Sequence, residues 1–407
     1  MKRFRCVFYL AMLGFIIGLG YGVQEKASPG MGSPIEVAVR VLAENRFIDS
    51  LRLEDFELLE DGSPQKIQSL CLLEKGKLIR QESAAEFQPR LDRKFYLLFQ
   101  MTEYDAKIEE SLNYLFQTLL SPEDSLAIVT PMKPYALTAE ALKTKSRDSI
   151  AKEMRGLLRK DIQNGASEYR TLLIDLRRIV HAIAGAGGVS DAEVESDITD
   201  SSMGIEFLLP RYKNMLVKLE SLRLIDENKL LSFADGLKKS DGQKFVFLFY
   251  QREFRPEISA PILNSLMQEF QERPDIQASL TELFQFYKRD LSINLERVAQ
   301  EFADAGINFN FIFMDRQARS SAGITMREQS EDVFRVFTEL ARATGGTTDN
   351  SSNPGAGFKK TAENAVSYYL LYYTPENSRK DGTFRKLNVR IKDKNYQVSH
   401  RIGFFAR

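Results

Sequence analysis

The spacing of hydrophobic residues changes period several times along the chain. In IEVAVRVL, Ile35, Val37, Val39 and Val41 alternate with other residues, the period of two expected of a half-buried strand. FELLEDGSPQKIQSLCLL follows, with Phe56 and Leu58, a turn at Asp61–Gly62 and an apolar run from Lys66 to Leu73. That pattern predicts a second strand, a hairpin and a third strand. Residues 34–80 therefore make a small β segment, and three strands are too few to stand alone. KLIRQESAAEFQPRLDR has no periodic apolar face and reads as a linker.

From residue 92 the chain alternates short, continuous apolar runs with helix-period segments. FYLLFQ, Leu126–Thr130, FVFLFYQ at 245–251 and INFNFIFMDR at 307–316 are apolar on both faces, as strands covered on both sides are. The segment after Asp105, TAEALKTKSRDSIAKEMRGLLRK and SEYRTLLIDLRRIVHAIAG have helical period. Strands separated by helices imply crossover connections and a mainly parallel sheet with helices on both faces, an α/β unit spanning 92–350. Residues 210–238 and 257–304 add two long helical insertions, and SLTELFQFYKRDLSINLERVAQEFADAG carries one apolar stripe. The stretch GAGGVSDAEVESDITDSS, 185–202, reads as a mobile acidic loop. Its acids lack the spacing and glycine of an EF-hand. VSYYLLYYTP, FRKLNVRIK and YQVSHRIGFF, within 364–407, predict three antiparallel strands.

Composition adds limits. Hydrophobic residues make up 43% and charged ones 28%, a globular balance. Lys+Arg and Asp+Glu are equal at 56 each, so no basic excess points to nucleic acid. The N-terminus is different. MKRFR followed by CVFYLAMLGFIIGLGYG reads as a secretory signal peptide, residues 1–22, cleaved near Gly22. The alternative is an uncleaved membrane anchor. Either way the protein is expected to be exported, to a periplasm, a cell envelope or the outside. Cys6 lies ahead of the apolar run, so Cys71 is the one cysteine left after cleavage and is expected to be buried.

Several of these segments together resemble the bacterial VWFA-related proteins of the acidobacterial type. They are IEVAVRVL…FELLEDGSPQKI, the strand FYLLFQMTEYD, TGG at 344–346, YYLLYYTP, the DG turn and the terminal RIGFFA. The resemblance covers most of the mature chain, and 135–240 matches poorly. It implies a von Willebrand factor A-like α/β domain, with the N- and C-terminal strands combined into one β-sandwich-like unit. Metal-binding members carry D-x-S-x-S after the first strand, and the Asp and two Ser hydroxyls hold Mg²⁺ or Mn²⁺. Here the matching residues are Gln100, Met101, Thr102, Glu103 and Tyr104. At the end of the later strand, Tyr250, Gln251 and Arg252 stand where T-D-G is common. Both anionic ligands are gone, and Glu103 and Asp105 are out of register. A divalent cation needs negative charge to offset its dehydration, so no cofactor is expected. Gln100, Thr102, Tyr104 and Gln251 remain as a degenerate, polar site. It either meets a partner directly or is a relic whose members hydrogen-bond one another.

No G-x-S-x-G, H-E-x-x-H or G-x-x-x-x-G-K-[ST] occurs. TGG follows a helix, which fits a helix C-cap better than a phosphate loop. His181 lies mid-helix, and His400 on a terminal strand has no acid–base partner nearby in sequence. The expectation is an exported, non-enzymatic protein-interaction module with a protein partner in the envelope or outside the cell. A structural or assembly component of an envelope complex is the alternative, followed by an unrecognised hydrolase.

Overall fold

The computed structural model describes residues 34–407 except 45, 84–86, 187–203, 224, 288–292, 319–322, 378 and 393. The segment read as a signal peptide and residues 187–202 of the stretch read as a loop lie outside the described residues, while 185–186 end the helix Ser167–Ala186, which corrects the start of that loop. No helix among the described residues is long and apolar enough to cross a membrane.

The chain folds as an α/β protein with mixed sheets. Its central sheet runs Thr348–Asp349, Ile307–Met314, Gln243–Gln251, Arg93–Gln100, Ser125–Val129, Pro134–Leu137 from one edge to the other. Numbered by their order in the chain, these strands lie 6-5-4-1-2-3. Four of the pairings are parallel and the last, with Pro134–Leu137, is antiparallel. The apolar runs have the cause proposed for them, because both faces are covered. Phe95, Leu97 and Phe99 enter one core, while Tyr96 and Leu98 enter the other. Rings stack across the strands on the first face, with Phe99 and Phe249 centroids 4.6 Å apart and Phe95 and Phe245 5.3 Å apart. Helices Ile108–Tyr114, Arg147–Gly165 and Pro354–Ala365 cover that face. Glu227–Lys238, Leu295–Asp304 and Glu331–Ala343 cover the other.

Parallel pairing does not extend beyond this sheet, so the described strands taken together are mixed and not mainly parallel. All other described strands pair antiparallel. One such sheet orders Gln397–His400, Ile35–Ala43, Ser367–Tyr373, Ile67–Glu74 and Lys77–Ser83, with Arg46–Phe47 added beside Ile35–Ala43. A second orders Gly403–Phe405, Phe384–Ile391, Phe56–Glu60 and Ser63–Gln65. Strands from the two ends of the chain thus pair with one another in both sheets. Val37, Val39, Leu70, Leu72, Tyr369 and Leu371 of the first meet Leu58, Leu387 and Val389 of the second. The opposite face of the first sheet supplies Cys71, Leu73, Tyr368 and Leu370 to the core of the α/β unit. YYLLYY is therefore apolar on both sides because it separates two cores. The hairpins turn where φ is positive, at Asp61 (48°) and Gly62 (83°), and again at Lys75 (48°) and Gly76 (78°). The second of these turns corrects the reading of KLIRQES as linker. Lys77–Ser83 is an edge strand with no fully buried residue, so its sequence carries no apolar face.

The helical insertions are more broken than their sequence implies. Ile205–Arg223 and Glu227–Lys238 are separate helices, the second capped by Asp226, whose side chain accepts the Lys229 N–H at 3.2 Å. The stripe at 280–306 divides between Pro274–Tyr287 and Leu295–Asp304, the latter capped by Asn294. Ser167–Ala186, Ile205–Arg223, Ala260–Glu269 and Pro274–Tyr287 pack with the ribbon Phe254–Ile258/Ile324–Glu328 around a third core, including Leu176, Tyr212, Leu263 and Leu280.

Candidate functional site

Arg93–Gln100 and Gln243–Gln251 lie side by side where the strand order reverses. In open α/β sheets the crevice beyond the carboxyl ends of such strands is where ligands bind. Gln100 and Gln251 stand there, and the ribbon Phe254–Ile258/Ile324–Glu328 leads from this end into the helical unit.

Gln251 is buried, and its side-chain carbonyl faces the loop that follows Gln100. Its Oε1 accepts the Thr102 N–H at 3.1 Å, the Thr102 hydroxyl at 3.0 Å and the Glu103 N–H at 3.0 Å. Two guanidinium groups complete the arrangement. Arg170 donates to the Thr102 carbonyl at 2.7 Å. Arg316 donates to Thr102 Oγ1 at 3.4 Å and forms an ion pair with Glu103. Thr102 is 1% exposed and Gln251 6%, so the contacts between these two are shielded from water, while the Glu103 side chain stays exposed.

The structure brings together Thr102 and Gln251 from the predicted set, and separates the others. Gln100 borders a cavity of about 20 Å³ with Leu98, Thr130 and Phe233, room for about one water. Tyr104 turns toward the helices, where its hydroxyl donates to Glu109 at 3.4 Å and Arg159 lies 5.9 Å from its ring. Burial, then the Glu109 charge, pushes the Tyr104 phenol up to about 12. Asp105 accepts the Lys107 N–H at 2.9 Å and starts the helix. Arg252 sits over Phe313 between Asp315 at 3.6 Å and Glu328 at 3.5 Å.

These residues do not fit a divalent cation. The Thr102 hydroxyl and Gln251 carbonyl are committed to one another. A guanidinium stands beside the hydroxyl, and the nearest carboxylate, Glu103, is paired with it. Mg²⁺ and Mn²⁺ prefer anionic oxygens, and a fixed positive charge at the same place opposes them.

A buried charged layer lies behind the loop. Glu253 pairs with Arg223 at 2.5 Å, with side chains 2% and 9% exposed. Asp332 approaches the same guanidinium at 3.6 Å, and Arg223 also donates to the Gln329 carbonyl. Gln329 Nε2 donates to the Tyr169 hydroxyl at 3.0 Å. Desolvation raises the Glu253 pKa, while Arg223 pulls it down. The cluster ties the helix Ile205–Arg223 to the end of the central sheet. Arg170, Arg223, Glu253 and Arg316 were not foreseen. The one local signal was charge directly after a buried strand, in QREFRPE.

Among the remaining polar candidates, His400 has structural partners on both ring nitrogens. His400 accepts the Val389 N–H through Nε2 at 3.1 Å, and its Nδ1 lies 2.8 Å from the Arg401 carbonyl, so Nδ1 carries the proton. Burial lowers its pKa. His181 is half-buried on the helix Ser167–Ala186. Cys71 is fully buried, and desolvation raises its pKa. TGG ends the helix Glu331–Ala343: Gly345, at φ 69°, donates to the Arg342 carbonyl at 3.3 Å and Gly346 to that of Ala341 at 2.8 Å. That pair of bonds is a Schellman cap. A Cβ on Gly346 would stand 1.8 Å from the Phe309 carbonyl oxygen.

No protein-family model matches the chain, and no curated protein matches it. Among solved structures, the human COPII-coat protein Sec24c aligns with 78% of this chain and 44% of its own, at 8% identity and a TM-score of 0.27. The chain thus spans less than half the length of that structure. Likeness at this level carries no functional implication.

Proposed function

We propose that this chain is an exported, non-enzymatic protein-interaction module of von Willebrand factor A type that works without a divalent cation. The strand order supports the fold-level part. A doubly wound sheet with its reversal between the first and fourth strands is the frame such a module needs. The observation that carries the functional part is Gln251. Its carbonyl takes three donors from the loop that would otherwise receive a ligand. An occupied, buried loop end is poorly suited to admit substrate, and binding then falls to outer surfaces. Both described nitrogens of His400 are engaged, which also favours a non-catalytic reading. Export rests on the N-terminal sequence alone.

Proximity labelling from the exported protein tests this reading. The same protein neighbour should be labelled with and without a chelator of divalent ions. Recovery of no reproducible neighbour, or labelling abolished by chelation and restored by Mg²⁺, would overturn it.

A further inference from the structure

A cleft of about 550 Å³ lies away from the Gln251 loop. It opens beside Thr348–Asp349, which pairs with Phe311 and Ile312, whereas Gln251 pairs with Met314. One wall is Thr348–Asp349, the terminal strand of the central sheet. Another wall is Gln397–His400, the terminal strand of the six-strand face of the sandwich. The helices Glu331–Ala343 and Pro354–Ala365 supply the rest.

Its chemistry is mostly neutral hydrogen bonding. Thr338, Thr348, Thr361, Asn364, Gln397 and Ser399 all line it. Thr338 Oγ1 is buried and has no hydrogen-bond partner among the described residues. The volume lies within the range of about 300–1,000 Å³ usual for ligand sites.

We infer that this cleft takes an extended polypeptide segment of a partner protein, held by strand addition between the two sheet edges. A terminal strand presents backbone N–H and C=O groups along its outer side, and an extended peptide satisfies them in register. A Cβ on Gly345 would stand 2.8 Å from the His400 backbone and the Ile402 N–H donates to the Ala343 carbonyl at 2.8 Å, so the stretch of the Gln397–His400 strand left open is Gln397–Ser399. Threonine hydroxyls and carboxamides can also bond to peptide amides. Other ligand classes fit less well. No Phe or Tyr lines the cleft to stack on a sugar ring. Of its two basic side chains, Arg342 is already paired with Glu339 at 2.6 Å, and Asp349 shares the wall, which disfavours a phosphate. The open stretch of the strand, Gln397–Ser399, is three residues long, so the paired core of the peptide is about three residues, roughly 10 Å at strand rise.

This inference rests on the reading of the chain as an interaction module and places one contact of that module. The test is selection of a random twelve-residue peptide library on the whole exported chain, followed by affinity and amide-exchange measurements on the enriched peptides. Asn364→Trp fills the cleft from a helix, and Ser399→Trp fills it from the strand. Circular dichroism and unfolding midpoints show whether each variant remains folded. The expected result is at least tenfold weaker binding to either folded variant, with exchange slowed at Thr348–Asp349 and Gln397–His400 in the wild-type complex. Three results would overturn the inference: no enriched peptide, peptides that bind both filled variants as well as wild type, or protection elsewhere on the chain. Saturable binding of maltohexaose or inorganic phosphate at the cleft in place of peptides would overturn it too. A reproducible proximity-labelled partner that ignores both variants would refute the cleft and leave the module reading standing.

Discussion

Replacing Gln251 with leucine removes one acceptor and strands three donors. The side chains are close in size, so packing changes little, while the oxygen that holds Thr102 and Glu103 is lost. The Thr102 hydroxyl can rotate toward another acceptor. The two backbone N–H groups cannot. Thr102 is almost fully buried and the Glu103 N–H is part-buried. A buried donor left unsatisfied costs about 1–3 kcal/mol, so the two together predict a loss of about 2–6 kcal/mol. Urea unfolding measures that loss, and amide exchange localises it, because the Thr102 and Glu103 amides should be the first to lose protection. Gln251→Glu keeps an acceptor oxygen where Oε1 stands and should retain protection at both amides. The reasoning fails if Gln251→Leu unfolds within about 0.5 kcal/mol of wild type, the range of an ordinary surface substitution.

Two further perturbations probe buried charge. Arg223→Met leaves Glu253 without its partner and should cost about 3–5 kcal/mol near neutral pH. Desolvation already raises the folded Glu253 pKa, so the folded state binds the extra proton and its stability falls as pH rises through that raised value. Losing Arg223 raises the value further. The penalty should therefore be smaller at pH about 5 than at about 8; an equal penalty at both would show that Glu253 is not the group responsible. Lys244 is the opposite case: burial first, then Lys94, lowers its pKa from 10.5 to about 8. The folded state binds fewer protons than the unfolded one between those values, so this residue makes stability rise across that window. Lys244→Met should flatten the rise in a pH series of unfolding midpoints, and an unchanged slope would contradict the assignment.

The parts of the fold visible in the sequence are those where burial imposes a period. Strands covered on both faces leave apolar runs such as FVFLFYQ, and the half-buried Ile35–Ala43 leaves alternation. Lys77–Ser83 left neither, because an edge strand exposes most of its side chains. Helix breaks at Asp226 and Asn294 depended on capping residues that also suit exposed helix positions. At the candidate site, Thr102 and Gln251 were legible as polar residues at strand ends. Arg316 was not, because it reaches Thr102 across 214 positions in sequence and no local pattern encodes such a contact. Arg223 is similarly remote, entering from the end of a separate helix to meet Glu253.

The most direct measurement is thermal unfolding of residues 23–407 in EDTA, Mg²⁺ and Mn²⁺. A loop sealed by Gln251 and Arg316 predicts superimposable midpoints in all three. An ion bound only by the folded state would add about 2.7 kcal/mol at a hundredfold excess over its dissociation constant. A saturable rise of that kind, abolished by Thr102→Ala, would contradict the cation-free site.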